Sequence, residues 1–296
     1  MDKLATFNQH RPLLFAIAYR MLSSATEAED VLQEAWIRWQ STSTPVKTPK
    51  PYLSQIVTRL CIDYLRSARF RRERYVGTWL PEPLAVSSIK NPEEHAALAE
   101  SLSFAFLKLL ECLSPTERAV FLLREVFDYS YEDIAKIVDK STSNCRQVVH
   151  RAKQHLRSHK PRIETSPQQK AKAVERFLEC WQQGNLSGLL ETMTEETVFI
   201  SDGGGKVTAA LYPLEGSQKV ARFLLALRRS RLMPLITSQF IDINGQPGII
   251  NSVEGKPQSI FSFEFKGGRI QTIFAVANPD KLDSMHSQST QIFGVS

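Results

Sequence analysis

The hydrophobic period of the chain changes near residue 234, and that change restricts the folds open to it. Up to Arg229 apolar residues recur mostly at the three- and four-residue spacing of amphipathic helices, with one apolar strand-like run, TVFISDGGGK, among them. From Pro234 onward the runs ITSQFIDI, GIINSV, QSIFSFEF and RIQTIFAV alternate instead, divided by Asn244-Gly245, Glu254-Gly255 and Gly267-Gly268. Asn-Gly and Gly-Gly supply the positive φ that tight hairpins demand, so these runs predict an antiparallel meander. Helices first and a meander afterwards predict an α+β unit at the C-terminal end, preceded by all-helical domains.

Two helical blocks precede the meander. In the first, LLFAIAYRML (13–22) and TEAEDVLQEAWIRW carry helical stripes, the second opening on a Thr26-x-x-Glu29 capping-box pattern. Val31, Leu32, Ala35, Trp36 and Trp39 face inward there, while Glu29, Asp30, Gln33, Glu34 and Arg38 face out. A Ser/Thr/Pro-rich loop leads to PYLSQIVTRLCIDYLRSARFRR, with Pro51 in its first turn and a basic far end. The second block opens on Ser114-Pro115-Thr116-Glu117, an N-cap, a first-position proline and a capping-box Glu. Ser130 then caps a short helix, a turn follows at Asp139-Lys140-Ser141, and TSNCRQVVHRAKQHLR forms a longer one. Cys145, Val148, Val149, Ala152 and Leu156 make its inward stripe; Asn144, Arg146, Gln147, His150, Arg151, Lys153 and Gln154 face outward. A short helix, a tight turn and a longer helix with a polar, basic outer face is the organisation of helix-turn-helix DNA readers. Arg and Lys attract phosphates, and Asn, Gln and Arg present forks suited to base edges.

Charge agrees with that placement. Of a net +6, residues 1–72 carry about +5 and residues 111–163 about +3, whereas the C-terminal part is near neutral. The helical blocks therefore suit a polyanion and the C-terminal unit does not. No apolar run reaches the roughly 20 residues that span a bilayer. The four cysteines are scattered without a C-x-x-C pair, and MDKLATFNQH lacks a secretory pattern, so a soluble cytoplasmic protein with free thiols and no membrane partner is expected.

In their order, EAEDVLQEAWIRW, PYLSQIVTRLCIDYLRSARFRR and LSPTERAVFLLREVFDYSYEDIAKIV…CRQVVHRAKQHLR resemble bacterial extracytoplasmic-function (ECF) σ factors over about the first 160 residues. The resemblance implies that Asp30, Val31, Gln33 and Glu34 dock on the β′ subunit of core RNA polymerase, with the β subunit as a further partner. It implies that Tyr52, Arg59, Asp63, Arg66 and Arg69 capture the promoter −10 element, with the loop 41–50 holding a flipped base. It implies that Asn144, Arg146, Gln147, His150, Arg151 and Lys153 read the −35 element. Many members have V-x-S-R in the reading helix where this chain has Cys145-Arg146-Gln147-Val148, so promoter preference does not transfer. Opening a promoter costs about 1.4 kcal/mol per stacked step. Trapped bases and arginines on the freed backbone offset that cost.

The C-terminal part resembles the SnoaL-like, ketosteroid-isomerase-like cone fold over roughly residues 166–282. One group of ECF σ factors carries such an extension with a W-L-P-E-P linker, a D-G-G-G-[KR] turn and a terminal N-P-D-K-L. Here these are Trp79, Leu80, Pro81, Glu82 and Pro83; Asp202, Gly203, Gly204, Gly205 and Lys206; and Asn278, Pro279, Asp280, Lys281 and Leu282. The resemblance implies a multidomain σ factor directing polymerase to promoters, with its activity modulated in cis by the cone. Its expected domains are 1–74 (σ domain 2), 75–95 (linker), 96–162 (σ domain 4), 166–284 (cone) and 285–296 (tail). The linker carries an aromatic and two prolines, which is unlike a flexible tether, so something is expected to hold it. The resemblance implies that the cone does, with DGGGK and NPDKL near the contact, the alternative being that Trp79 packs on its own domain. Trp79 and Leu80 would plug an apolar groove, and Glu82 would pair with Lys206 or Lys281.

Other chemistry fits less well. DGGGK lacks the spacing and following helix of a phosphate loop, and reads as a close-approach turn. His155 and His159 share a helix face inside a basic stretch, which favours phosphate contact or solvation over metal. An enzyme of this fold needs a pocket acid or base; Asp242 and His286 are the residues available. No cofactor, no metal and no catalytic activity are expected, while an apolar pocket for a small ligand is a further expectation. A stand-alone helix-turn-helix regulator with a ligand-sensing cone, and an isomerase- or cyclase-type enzyme, stay open as alternatives at this point.

Overall fold

A computed structural model describes residues 2–72, 75–85, 101–157, 165–229, 235–283 and 285. Its contacts divide the chain into two compact units, one comprising Met1–Arg74 with Leu107–Lys160, the other Tyr75–Phe106 with Pro161–Ser296. The linker motif thus belongs to the C-terminal unit, and the two helical blocks pack as one.

In the helical unit, α1 (Lys3–Leu22) begins before the apolar run at 13–22, because the Asp2 carboxylate caps it, accepting the Leu4 and Ala5 N–H groups. The N-cap of α2 (Ala25–Ser41) is Ser24, which accepts the Glu27 N–H at 3.2 Å. The Thr26-x-x-Glu29 pattern therefore lies inside the helix: Ser23, left-handed at φ 57°, ends α1 and Ala25 is already buried. The long α3 (Pro49–Arg72) buries Leu53, Val57 and Cys61 against α1 and α2. Burial pushes the Cys61 thiol well above its ordinary value.

The second block continues with α4 (Phe104–Leu109), a 3₁₀ turn at Leu110–Cys112, α5 (Pro115–Glu125), α6 (Tyr131–Val138) and α7 (Thr142–Arg157). Ser114 and Glu117 complete the capping box, and the Ser114 hydroxyl holds the Glu117 carboxyl below the usual range. Ser130 caps α6, and Asp139 at φ 54° stops it. Two buried arginines join the blocks. Arg118 donates to the Leu110 carbonyl at 3.0 Å and the Met21 carbonyl at 2.7 Å. Arg20 donates to the Ala16 carbonyl and lies 5.4 Å from the Phe127 ring centre. Burial pulls its guanidinium down to about 10, so it stays charged at neutral pH.

The C-terminal unit is α+β. Helices α8 (Pro167–Gln183), α9 (Leu186–Thr192) and α10 (Ser217–Arg228) pack on a six-stranded sheet of order β2-β1-β6-β5-β4-β3. The strands are β1 (Met193–Asp202), β2 (Leu214–Glu215), β3 (Ile236–Ile243), β4 (Gln246–Val253), β5 (Lys256–Lys266) and β6 (Arg269–Val276). The four alternating runs form the meander β3 to β6 as expected, and β1 pairs parallel with β6. Alternation along the strands gives the sheet two apolar faces. The helix side is filled by Val174, Phe177, Cys180, Trp181, Phe199, Phe261 and Phe263. Ala173 and Leu178 pack, partly buried, at the edge of that stripe. The opposite side carries Ile243, Ile250, Ile260, Phe274 and Val276, and on it sit Leu80 and Phe104. Phe104 and Phe274 stand 5.9 Å apart between ring centres.

Candidate functional site

On α2, Asp30 and Gln33 are exposed and Glu34 is half-buried and bonded to Arg38 at 2.8 Å. Val31 is buried, so any part it has in this face is through packing. Beside them a concavity of about 210 Å³ is lined by Leu4, Phe7, Asn8, Arg11, Glu29, Leu32, Gln33 and Trp36. Leu4 in its lining is more than half exposed, as is Ile37 elsewhere on α2, and Arg11 reaches Glu29 at 2.5 Å. Periodicity flagged none of Leu4, Arg11 or Ile37, since each falls outside the buried stripe.

On α3 the five expected −10 contacts are placed differently from one another. Tyr52 packs 5.9 Å from Trp39 and its hydroxyl lies 3.3 Å from that of Thr42. Asp63 and Arg66 face solvent and pair at 3.6 Å. The Arg69 side chain lies outside the described residues. Arg59 is engaged elsewhere in the unit: it donates to the Ile137 carbonyl at 2.9 Å and the Lys136 carbonyl at 3.2 Å. These are last-turn carbonyls of α6, where a helix end carries partial negative charge and lacks internal partners. Gln55 donates to the same Lys136 carbonyl at 2.8 Å, and the buried hydroxyls of Ser54 and Tyr129 meet at 2.6 Å. The first helix of the helix-turn-helix thus covers part of the α3 face.

The outer face of α7 is as expected, with Asn144, Arg146, Gln147, His150 and Arg151 exposed. A concavity of about 360 Å³ is lined by Arg146, Gln147, His150 and Arg151. Lys153 is half-buried and bonded to Glu125 at 2.6 Å. His150 and Gln154 approach to 3.1 Å.

In the C-terminal unit the three motifs converge on one carboxylate. Asp202, at the end of β1, is fully buried. One oxygen accepts the Leu80 N–H at 2.9 Å and Lys281 Nζ at 2.7 Å. The other accepts the Tyr75 hydroxyl at 2.6 Å and the Gly204 N–H at 3.0 Å. Lys281 also donates to the Leu80 carbonyl and lies 4.0 Å from the centre of the Trp79 ring. Asn278 donates to the Tyr75 hydroxyl at 2.9 Å. Burial, and then the bond to Asp202, push the Tyr75 phenol well above its ordinary value. Leu80 is the apolar plug, wholly buried among Ile243, Phe274, Val276 and Leu282, and Pro81, Glu82 and Pro83 are buried after it. Of the cations expected to receive Glu82, Lys206 binds Asp280 at 2.6 Å and Lys281 reaches Asp202.

The DGGGK glycines answer to close approach. Gly204 has φ +61°, and a Cβ there would lie 2.4 Å from the Asn278 amide. At Gly205, φ is +69° and a Cβ would be 3.0 Å from Val76. A second holding point is Asn244, in the β3–β4 turn. It exchanges two bonds with Leu84, side chain to N–H and N–H to carbonyl, both 2.8 Å, and its Nδ2 donates to the Leu102 carbonyl at 2.8 Å. Tyr75 and Asn244 were missed from sequence. Tyr75 carries no local pattern, and Asn244 is already explained by its hairpin.

Among the described residues no group of three or more His, Cys, Asp or Glu could hold a metal ion. Asp242 is half-buried on β3, and His159 and His286 lie outside the described residues. On the helix side of the sheet the core includes ring pairs, Phe177 with Phe263 and Trp181 with Phe261, each at 5.3 Å between centres. No helix among the described residues is long and apolar enough to cross a membrane.

Comparison with known proteins decides the family. The Sigma-70 region 2 model matches residues 6–71, and the Sigma-70, region 4 model matches residues 103–156. The ECF RNA polymerase sigma factor SigJ of Mycobacterium tuberculosis is 30% identical over 289 residues, 94% of this chain and 93% of that one. The chain belongs to the ECF σ factors. A probable ECF RNA polymerase sigma factor of the same species, SigI, is 28% identical over 287 residues, 96% of each chain. The crystal structure of M. tuberculosis SigJ matches with a TM-score of 0.76 at 29% identity, covering 95% of this chain and 98% of that one. As an ECF σ factor the protein directs RNA polymerase to promoters, and these relatives are named as σ factors rather than enzymes. The σ region 2 match holds α1 to α3, and the region 4 match holds α4 to α7.

Proposed function

We propose that this σ factor is governed in cis by its own cone domain, which holds the interdomain linker and so limits how far regions 2 and 4 can separate. The observation that carries the reading is Asp202, whose buried carboxylate takes a linker N–H, a linker phenol, a DGGGK N–H and the NPDKL ammonium. A buried carboxylate with that many donors fixes the chain running past it, because each lost partner leaves a charged group unsatisfied.

In this reading Asp30, Gln33 and Glu34 face core polymerase β′, on a surface less basic than the DNA-binding helices. Tyr52, Arg59, Asp63, Arg66 and Arg69 meet the −10 element. Asn144, Arg146, Gln147, His150 and Arg151 meet the −35 element, with Lys153 following once it leaves Glu125. Arg59 cannot bond the last carbonyls of α6 and a promoter strand at once, so the packing between α3 and α6 describes a resting state. Core polymerase and DNA displace it, and the held linker resists that displacement. Full-length protein with Trp79→Ala or Leu80→Ala, assayed with core polymerase for run-off transcription, tests the reading. Release of the linker is expected to raise initiation several-fold at equal σ occupancy of core; unchanged initiation with both variants rejects cis control.

A further inference from the structure

Arg146 lies in the first third of α7, the part of a reading helix whose side chains reach base edges. A free arginine there would sample many rotamers, and a bidentate contact with a base needs its fork in one plane. The neighbours of Arg146 provide that constraint. Its guanidinium carbon lies 5.2 Å from the centre of the Tyr131 ring, at the start of α6. On the same ring, at 5.0 Å, lies Arg124 of α5. Arg124 is itself fixed, donating to the Tyr129 carbonyl at 3.0 Å and meeting Asp128 at 3.4 Å. Glu132 stands 3.9 Å from the Arg146 head and offsets the second positive charge. One aromatic ring in contact with two guanidinium groups therefore ties α5, α6 and α7 together beside the outer face of α7.

We propose that Tyr131 is a positioning residue that sets the plane of the Arg146 guanidinium, and that this pair helps decide which −35 sequence the protein accepts. The inference rests on the proposed −35 role of α7. Phosphate binding alone would not call for such an arrangement, because a charge attracts phosphate from any orientation, whereas base reading depends on the angle of the fork.

The test uses the full-length protein with core polymerase on promoters randomised through the −35 box, with transcripts sequenced to give a preference at each base. Arg146→Ala is expected to flatten one or two positions. Tyr131→Leu should weaken discrimination at those same positions by roughly three- to tenfold, the range of a partly exposed cation–π contact. Tyr131→Phe, which keeps the ring, should retain wild-type preference. In the Arg146→Ala background, Tyr131→Leu should add nothing, and alone it should leave the salt dependence of promoter binding unchanged. Should Tyr131→Leu fail to fold, Arg124→Met removes the second guanidinium held on the ring and must weaken the same positions. Uniform loss across all sequences, damage by Tyr131→Phe equal to that by Tyr131→Leu, or additivity with Arg146→Ala would each overturn the inference. If Arg146→Ala alters no base position, the −35 role of Arg146 fails first and the inference falls with it.

Discussion

Lys281 and Asp202 form a charge pair that is nearly dry, with side-chain exposures of 10% and 0%. Such a pair adds little over an apolar replacement of both partners, yet removing one leaves a buried charge uncompensated. Lys281→Met is therefore expected to lower unfolding free energy by about 3–5 kcal/mol, read by urea denaturation of the full chain. A loss below 1 kcal/mol would mean that Asp202 is reached by water. Glu264 gives a pH signature in the same unit. Burial raises its carboxyl above the ordinary value of 4.5, and the Thr272 hydroxyl at 2.9 Å opposes part of that rise. The unfolded chain ionises first, so this contribution to stability is full at low pH and lost as pH climbs through the raised value. Glu264→Gln should raise the Tm at pH 8 and change it little at pH 4; equal shifts at both would contradict the burial. Sequence made Asp202 and Lys281 visible only as parts of the motifs that carry the family resemblance. Their direct bond, and the part Tyr75 takes beside it through Asp202 and Asn278, were not legible, because the partners lie 79, 127 and 203 positions apart.

The helices and strands were more readable than the contacts between them. Ser114 and Ser130 mark helix starts by local chemistry, and both act as caps. Ser114→Ala is expected to cost about 1 kcal/mol and to remove the largest cause of the lowered Glu117 carboxyl. The α2 start was misplaced by two residues, since a Thr-x-x-Glu pattern inside a helix looks like one at its edge. The packing of α6 on α3 left no trace in either pattern, because it uses backbone carbonyls and one Ser–Tyr pair. Tyr129→Phe leaves the Ser54 hydroxyl buried without that partner, at about 1–3 kcal/mol. Amide exchange along α6 is expected to quicken; protection equal to wild type would show the contact to be dispensable.

Across the whole molecule, the order of domains was legible because hydrophobic period, charge and motif order agree. The Trp, Leu and prolines of the linker showed that it is held, and the family resemblance suggested by what, but its second anchor at Asn244 came only with the fold. Two anchors on one linker restrict its ends more than either alone, and a σ factor works by spacing two DNA-reading regions. The most direct measurement is single-round run-off transcription by core polymerase with wild-type protein, Leu80→Ala, Asn244→Ala and the double variant, at saturating σ. The account predicts more transcript from each single variant and most from the double, with core affinity unchanged. Equal transcript from all four, with the linker shown to be released by its increased protease cleavage, would contradict it.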